Sequence, residues 1–118
     1  MSHDGYRGLK VWTKAVDFAV AIYGATEVMP RSEQFGLTSQ LRRAAVGIPS
    51  NIAEGHGRFT HGEFRNQLSN ARGSLNEVET QIEIAHRLAF IPSGVKDQLL
   101  TESEEISRMI TALKRTLR

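Results

Sequence analysis

Cysteine is absent from the 118 residues, which excludes disulfides, thiolate metal sites and a cysteine nucleophile. No apolar run approaches the roughly twenty residues that a membrane-spanning helix needs. The opening Met-Ser-His-Asp-Gly-Tyr-Arg has no hydrophobic secretory segment behind it, so the expected location is the cytoplasm, with no membrane partner. Three prolines and ten glycines are too few for a linker-rich or collagen-like chain. Alternating strand patterns, internal repeats and low-complexity segments are also missing.

The signatures of common catalytic sites are missing as well. Gly55-x-Gly57 has neither the preceding strand nor the following lysine of a phosphate-binding loop. Nothing marks a nucleophile held on a strained turn. Glu83-Ile84-Ala85-His86 has the Glu-x-x-His spacing of di-iron bundles, but such a site needs it twice, with two further inward carboxylates. With Ile82 and Ala85 facing a core, Glu83 falls outward and four residues before Arg87, an ordinary exposed helix pair. His56, His61 and Glu63 crowd one loop, yet a capping role already accounts for Glu63. The expectation is a non-enzymatic protein with no metal, no cofactor and no small-molecule substrate.

What the chain does have is helical periodicity at 40% hydrophobic and 24% charged residues. Trp12, Ala15, Val16, Ala19, Ile22, Tyr23 and Thr26 recur at three- and four-residue steps. Leu37, Leu41, Ala44, Ala45, Ile48 and Ile52 form a second face across Pro49, where a kink is expected. Phe64, Leu68, Ala71, Leu75, Val78, Ile82, Ala85 and Ala89 alternate steps of four and three, as in coiled-coil packing. Leu99, Ser103, Ile106, Ile110, Leu113 and Leu117 repeat the rule. These faces predict a single all-α domain spanning 1–118, an antiparallel up-down-up-down four-helix bundle with helices at about 9–29, 36–57, 60–90 and 93–117.

Local signals punctuate it. Ser32 or Thr38 is the expected cap of the second helix and Ser93 that of the fourth. Thr60 with Glu63 reads as a capping box, and Phe59 with Phe64 as its hydrophobic staple. Val11, Phe18 and Met29 widen the first helix face, and Val46 and Ala53 point off the second. This apolar surplus is read as a contact surface between copies of the chain. Arg43, Ser50 and Glu54 form a polar stripe with Gly47, expected to pair with neighbouring helices through Glu77 or Glu79.

The net charge is only +2, unevenly spread. Residues 36–73 carry a surplus of three bases, residues 74–107 a surplus of five acids, and residues 108–118 four bases with no acid. Arg42, Arg58, Arg65, Arg72, Lys114, Arg115 and Arg118 are therefore candidates for contact with RNA phosphates. The bases at the C-terminal tip also complement a helix dipole, an ordinary structural use. Trp12 and Tyr23 are placed on the buried face and Phe59 and Phe64 in the staple. That leaves little aromatic surface for base stacking.

The string Phe35-Gly36-Leu37-Thr38-Ser39-Gln40-Leu41-Arg42-Arg43-Ala44-Ala45, followed by Ile48-Pro49-Ser50-Asn51-Ile52-Ala53-Glu54-Gly55, resembles the four-helix bundle proteins linked to 23S ribosomal RNA intervening sequences. Leu9-Lys10-Val11-Trp12 and Gly73-Ser74-Leu75-Asn76-Glu77-Val78-Glu79-Thr80-Gln81 resemble that family's opening and third-helix signatures. Gly47 and His56 depart from it, where a serine-like residue and a tyrosine are expected. The resemblance implies a ring-shaped homo-oligomer, typically a homopentamer. It also implies kinship with the RNA-binding accessory proteins of diversity-generating retroelements. Two functions stay open: RNA or nucleoprotein binding through a basic surface, and a protein-protein adaptor or structural assembly protein with no nucleic-acid role.

Overall fold

Four long helices arise where the apolar positions recur with helical period: α1 Lys10–Thr26, α2 Leu37–His56, α3 His61–Arg87 and α4 Ser93–Arg115. The computed structural model describes residues 5–117 and, among them, no strand. Short 3-10 turns at Gly5–Gly8 and Arg31–Glu33 precede α1 and α2. Each long helix packs against two others, α1 on α2 and α4, and α3 on α2 and α4. The result is a square bundle about 44 Å long. Contacts between α3 and α4 pair Ser69 with Lys114, Arg72 with Thr111, Glu79 with Ser103 and Glu83 with Lys96. Numbers rise on one helix as they fall on the other, so the two run antiparallel. The same holds for α2 and α3, where Gln40 meets Gln81 and Gly55 meets Gln67.

One contiguous core fills the centre, with Phe18, Ile22, Leu41, Ile48, Leu68, Leu75, Ile82 and Ile106 fully buried. Each such side chain contributes about 1.5–3 kcal/mol of transfer free energy. Val11, Phe18 and Met29 belong to this core, which corrects their reading as surplus contact surface. A helix with two neighbours buries a wider arc than one with a single partner, so Val11 and Phe18 go inside, while Met29, past the end of α1, is buried beside Thr38. Val46 stays exposed and Ala53 half-buried. Tyr23 is exposed and Trp12 only half-buried, against their placement on the buried face. Ala89, expected at the end of the core face of α3, is exposed and lies beyond the helix.

As expected, α2 continues through Pro49, which is itself buried. The helix ends carry the other corrections. The N-cap position of α2 is Gly36, not Ser32 or Thr38, and the first helical N–H, that of Leu37, donates to Glu33 Oε1 at 3.1 Å. Thr38 is buried near the Met29 sulfur. Ser93 is the first helical residue of α4 and makes no cap, the preceding position being Pro92. Thr60 does cap α3, its hydroxyl oxygen accepting the Glu63 N–H at 3.1 Å. The Glu63 carboxylate turns to the Thr60 hydroxyl rather than to a backbone N–H. No staple forms, because Phe59 is 100% exposed while Phe64 packs edge-on against His56.

At Gly55 α2 packs closely on α3. A Cβ there would lie 2.6 Å from Gln67 Cβ and 2.9 Å from the Phe64 ring, so any larger residue forces the helices apart.

Candidate nucleic-acid interface

The antiparallel arrangement gathers one end of every helix in one place. The start of α3 lies beside the chain after α4, where the Arg65 guanidinium donates to the Leu117 carbonyl. The Gly5–Gly8 turn that feeds α1 packs on the end of α2, with Gly5 next to His56. Residues 5–10, 54–72 and 108–117 therefore share one end of the bundle. They hold eight bases (Arg7, Lys10, Arg58, Arg65, Arg72, Arg108, Lys114 and Arg115) against two acids, Glu54 and Glu63. The remaining described residues, 11–53 and 73–107, hold six bases against ten acids. A chain of net charge +2 thus folds into a molecule with a surplus of six positive charges at one end and of four negative charges over the rest.

Of the seven arginines and lysines expected to contact RNA, five converge on the basic end: Arg58, Arg65, Arg72, Lys114 and Arg115. Several also have structural duties. Arg58 pairs with Glu54 at 2.9 Å, one turn away on the same chain. Arg72 donates to Thr111 at 3.2 Å and Lys114 to Ser69 at 2.9 Å, and these bonds stitch α3 to α4. Arg115 is exposed in the last turn of α4 and makes no ion pair among the described residues. Arg118 lies outside the described residues.

Arg42 lies elsewhere and is occupied. Its Nε donates to Thr26 Oγ1 at 2.9 Å, its Nη2 donates to the Tyr23 carbonyl at 3.3 Å, and the guanidinium stands 4.6 Å over the Tyr23 ring. It is a clamp between α1 and α2, and a phosphate would compete with all three contacts. The polar stripe is also redistributed. Glu54 turns to Arg58 within its own turn rather than to a neighbouring helix, Ser50 is exposed, and Glu79 accepts a hydrogen bond from Ser103. Arg43 is exposed and lines a hollow with Ser39, Gln40, Ser74 and Glu77.

Aromatic residues at the basic end were missed by sequence reasoning. Arg7 stands 5.4 Å from the Trp12 ring and 5.7 Å from that of Tyr6, and the two rings lie 5.1 Å apart. Phe59 projects from the α2–α3 turn between Arg58 and Thr60. The only sequence signal for its freedom is an apolar residue inside a turn otherwise rich in glycine, histidine and arginine.

On the opposite half, Glu83 accepts from Arg87 at 2.9 Å and from Lys96 at 3.0 Å, joining α3 to α4. Hydrogen bonding from Arg87 and then from Lys96 holds its carboxyl below the ordinary carboxylate value. Lys14 meets Glu105 at 2.8 Å between α1 and α4, and that hydrogen bond and charge raise its pKa. Among the described residues no three histidines, aspartates or glutamates gather as they would around a metal ion. Among those residues, too, no helix is long and apolar enough to cross a membrane.

A family model described as 23S rRNA-intervening sequence protein matches residues 7–112. A crystal structure of a protein of unknown function from the S23 ribosomal protein family of Bacteroides thetaiotaomicron superposes with a TM-score of 0.81 at 25% identity. The match covers 88% of this chain and 97% of that one. None of the curated proteins matches.

Proposed function

The chain belongs to the 23S rRNA-intervening sequence protein family, and on that premise we propose that it is a non-enzymatic RNA-binding assembly module of the cytoplasm. In this reading the basic end takes the phosphates and the α1–α2 side joins copies of the chain. The observation that carries it is the charge segregation: eight bases against two acids at one end of a protein of net charge +2. A closed ring of such subunits multiplies that field by its copy number, and a homopentamer is the ring expected from the family resemblance. Contact with phosphates, rather than base edges, gives weak sequence preference and strong salt dependence.

The test is binding of RNA across a salt series. Replacing Arg108, Lys114 and Arg115 together by alanine should weaken binding and flatten the salt slope, by about 0.7 for each single-strand phosphate no longer neutralised. Helicity should be kept. Failure of the unaltered protein to bind any RNA at low salt, where electrostatic attraction is strongest, overturns this reading in favour of a polypeptide adaptor.

Self-association is supported by a separate surface. Val20, Tyr23, Phe35 and Val46 are all exposed. Tyr23 and Phe35 line one hollow with Arg42 and Arg43, and Val46 follows Arg42 by one turn. Light scattering should give several times 13.1 kDa, and Val46→Glu should dissociate the assembly without unfolding the subunit. A stable monomer at assay concentration overturns the assembly claim.

A further inference from the structure

We infer that Phe59 is a stacking platform for an unpaired base of single-stranded RNA, with the surrounding basic end holding the flanking phosphates. The inference rests on the RNA-binding reading and adds the kind of RNA and the residue that selects it.

Three observations carry it. Phe59 is completely exposed, so its ring is not held by any packing within the subunit. The turn that presents it is nonetheless fixed. The Gly57 N–H donates to the Ala53 carbonyl and the Arg58 N–H to that of Gly55, while Thr60 caps α3 immediately afterwards. A ring on an ordered turn loses little freedom when it stacks. The third observation is its setting. Residues 56–63 are all exposed, and the neighbours of Phe59 in that stretch, among them His56, Arg58 and His61, extend its ring into no continuous apolar patch. A protein partner would need such a patch, whereas a base needs only the two faces of one ring and a cation nearby. The exposed apolar residues that could serve a protein partner, Val20, Phe35 and Val46, lie away from the basic end, on α1, α2 and the segment between them. Charge complementarity thus favours a polyanion at Phe59, and the ring favours one whose bases are unstacked. Bases within a duplex are already stacked and present their phosphates only, so double-stranded RNA should gain nothing from Phe59.

The experiment compares Phe59→Ala and Phe59→Trp with the unaltered chain. Fluorescence anisotropy would follow a short unstructured RNA, the same RNA with abasic sites, and a duplex of equal length. Phe59→Ala should lower affinity for the unstructured RNA about tenfold, while Phe59→Trp retains it. The salt slope should stay unchanged, since every phosphate keeps its cation. Abasic RNA and duplex should bind the alanine variant and the unaltered chain alike. Equal binding of unstructured RNA by Phe59→Ala and the unaltered chain overturns the inference and leaves phosphate binding standing. If the unaltered chain binds neither RNA at low salt, the RNA reading itself falls, and this inference with it. Loss of binding to phosphatidylglycerol vesicles in Phe59→Ala, with RNA binding untouched, assigns the ring to a membrane surface and likewise overturns the inference. Circular dichroism should show both variants folded.

Discussion

The turns at the two ends of α3 are similar in length and opposite in plan. Residues 88–92 send Ile91 inward and half-bury Phe90, while Leu88, Ala89 and Pro92 stay exposed. The Phe90 N–H donates to the Ala85 carbonyl at 2.8 Å and the Ala89 N–H to the His86 carbonyl at 2.9 Å, a paired closure that satisfies the last carbonyls of α3. Ile91 plugs the core at 2% exposure, and a His86 ring nitrogen lies 3.0 Å from the Ile91 carbonyl. Residues 57–60 turn outward: all four are exposed, and their one aromatic side chain touches no core residue. Both turns are ordered by backbone hydrogen bonds, so order alone does not separate them. The difference is that the 88–92 turn anchors itself in the core through Ile91, with Phe90 half-buried, whereas no side chain of 57–60 is buried. A fully exposed ring on a fixed turn gives nothing to stability, and its place at the basic end is the reason for assigning Phe59 to recognition.

This contrast can be broken by substitution. Ile91→Ala should have the largest effect, costing about 2–5 kcal/mol for the buried side chain and the cavity it leaves. Thr60→Ala should cost about 1 kcal/mol through the missing cap of α3. Ala89 has φ of 62°, a left-handed conformation unfavourable to any residue with a Cβ. Ala89→Gly should therefore stabilise the protein by about 1 kcal/mol. Phe59→Ala should change stability by no more than about 0.5 kcal/mol. Chemical denaturation of the four variants checks the series, and the contrast between the turns fails if Phe59→Ala proves as costly as Ile91→Ala.

Much of this architecture was readable in the sequence because it rests on period. The alternation of steps along α3 defines its buried side, and Phe64, Leu68, Ala71, Leu75, Val78, Ile82 and Ala85 are all buried there. What period does not contain is the width of the buried arc. That depends on how many helices surround a given one, so Val11 and Phe18 looked surplus although α1 has α4 as a second neighbour, while Met29 lies past the end of α1 and is buried beside Thr38. Nor does it contain the direction in which a chain leaves a helix. Phe59 and Phe64 have staple spacing, but the turn carries Phe59 away from Phe64. The basic end was only half visible. The acid-free C-terminal tip is plain in the sequence, whereas its meeting with Arg58, Arg65 and Arg7 follows from antiparallel packing and needs three dimensions.

The smallest expected effect is electrostatic, and it sharpens the contrast from the inward-turning end. Glu83 ties α3 to α4 through Arg87 and Lys96, and its folded pKa lies below the ordinary 4.5. A depressed carboxyl pKa means that the unfolded chain takes up the proton first as pH falls. The stability due to Glu83 is therefore fully present above pH 4.5 and is lost as pH drops through the lower, folded value. Lys14 has the opposite sign: its pKa is raised above 10.5 by Glu105. Its contribution is present below pH 10.5 and is lost as pH climbs through the raised value. Both groups are substantially solvent-exposed, so the effects are small and weaken as salt rises. Thermal melts should show Glu83→Gln flattening the acid side of the stability profile and Lys14→Met the alkaline side, each leaving the other side unchanged. The two variants should converge on the unaltered protein at high salt. An acid-side slope that survives Glu83→Gln at low salt would place the responsible carboxylate elsewhere and remove the electrostatic tie from the account of the α3–α4 end.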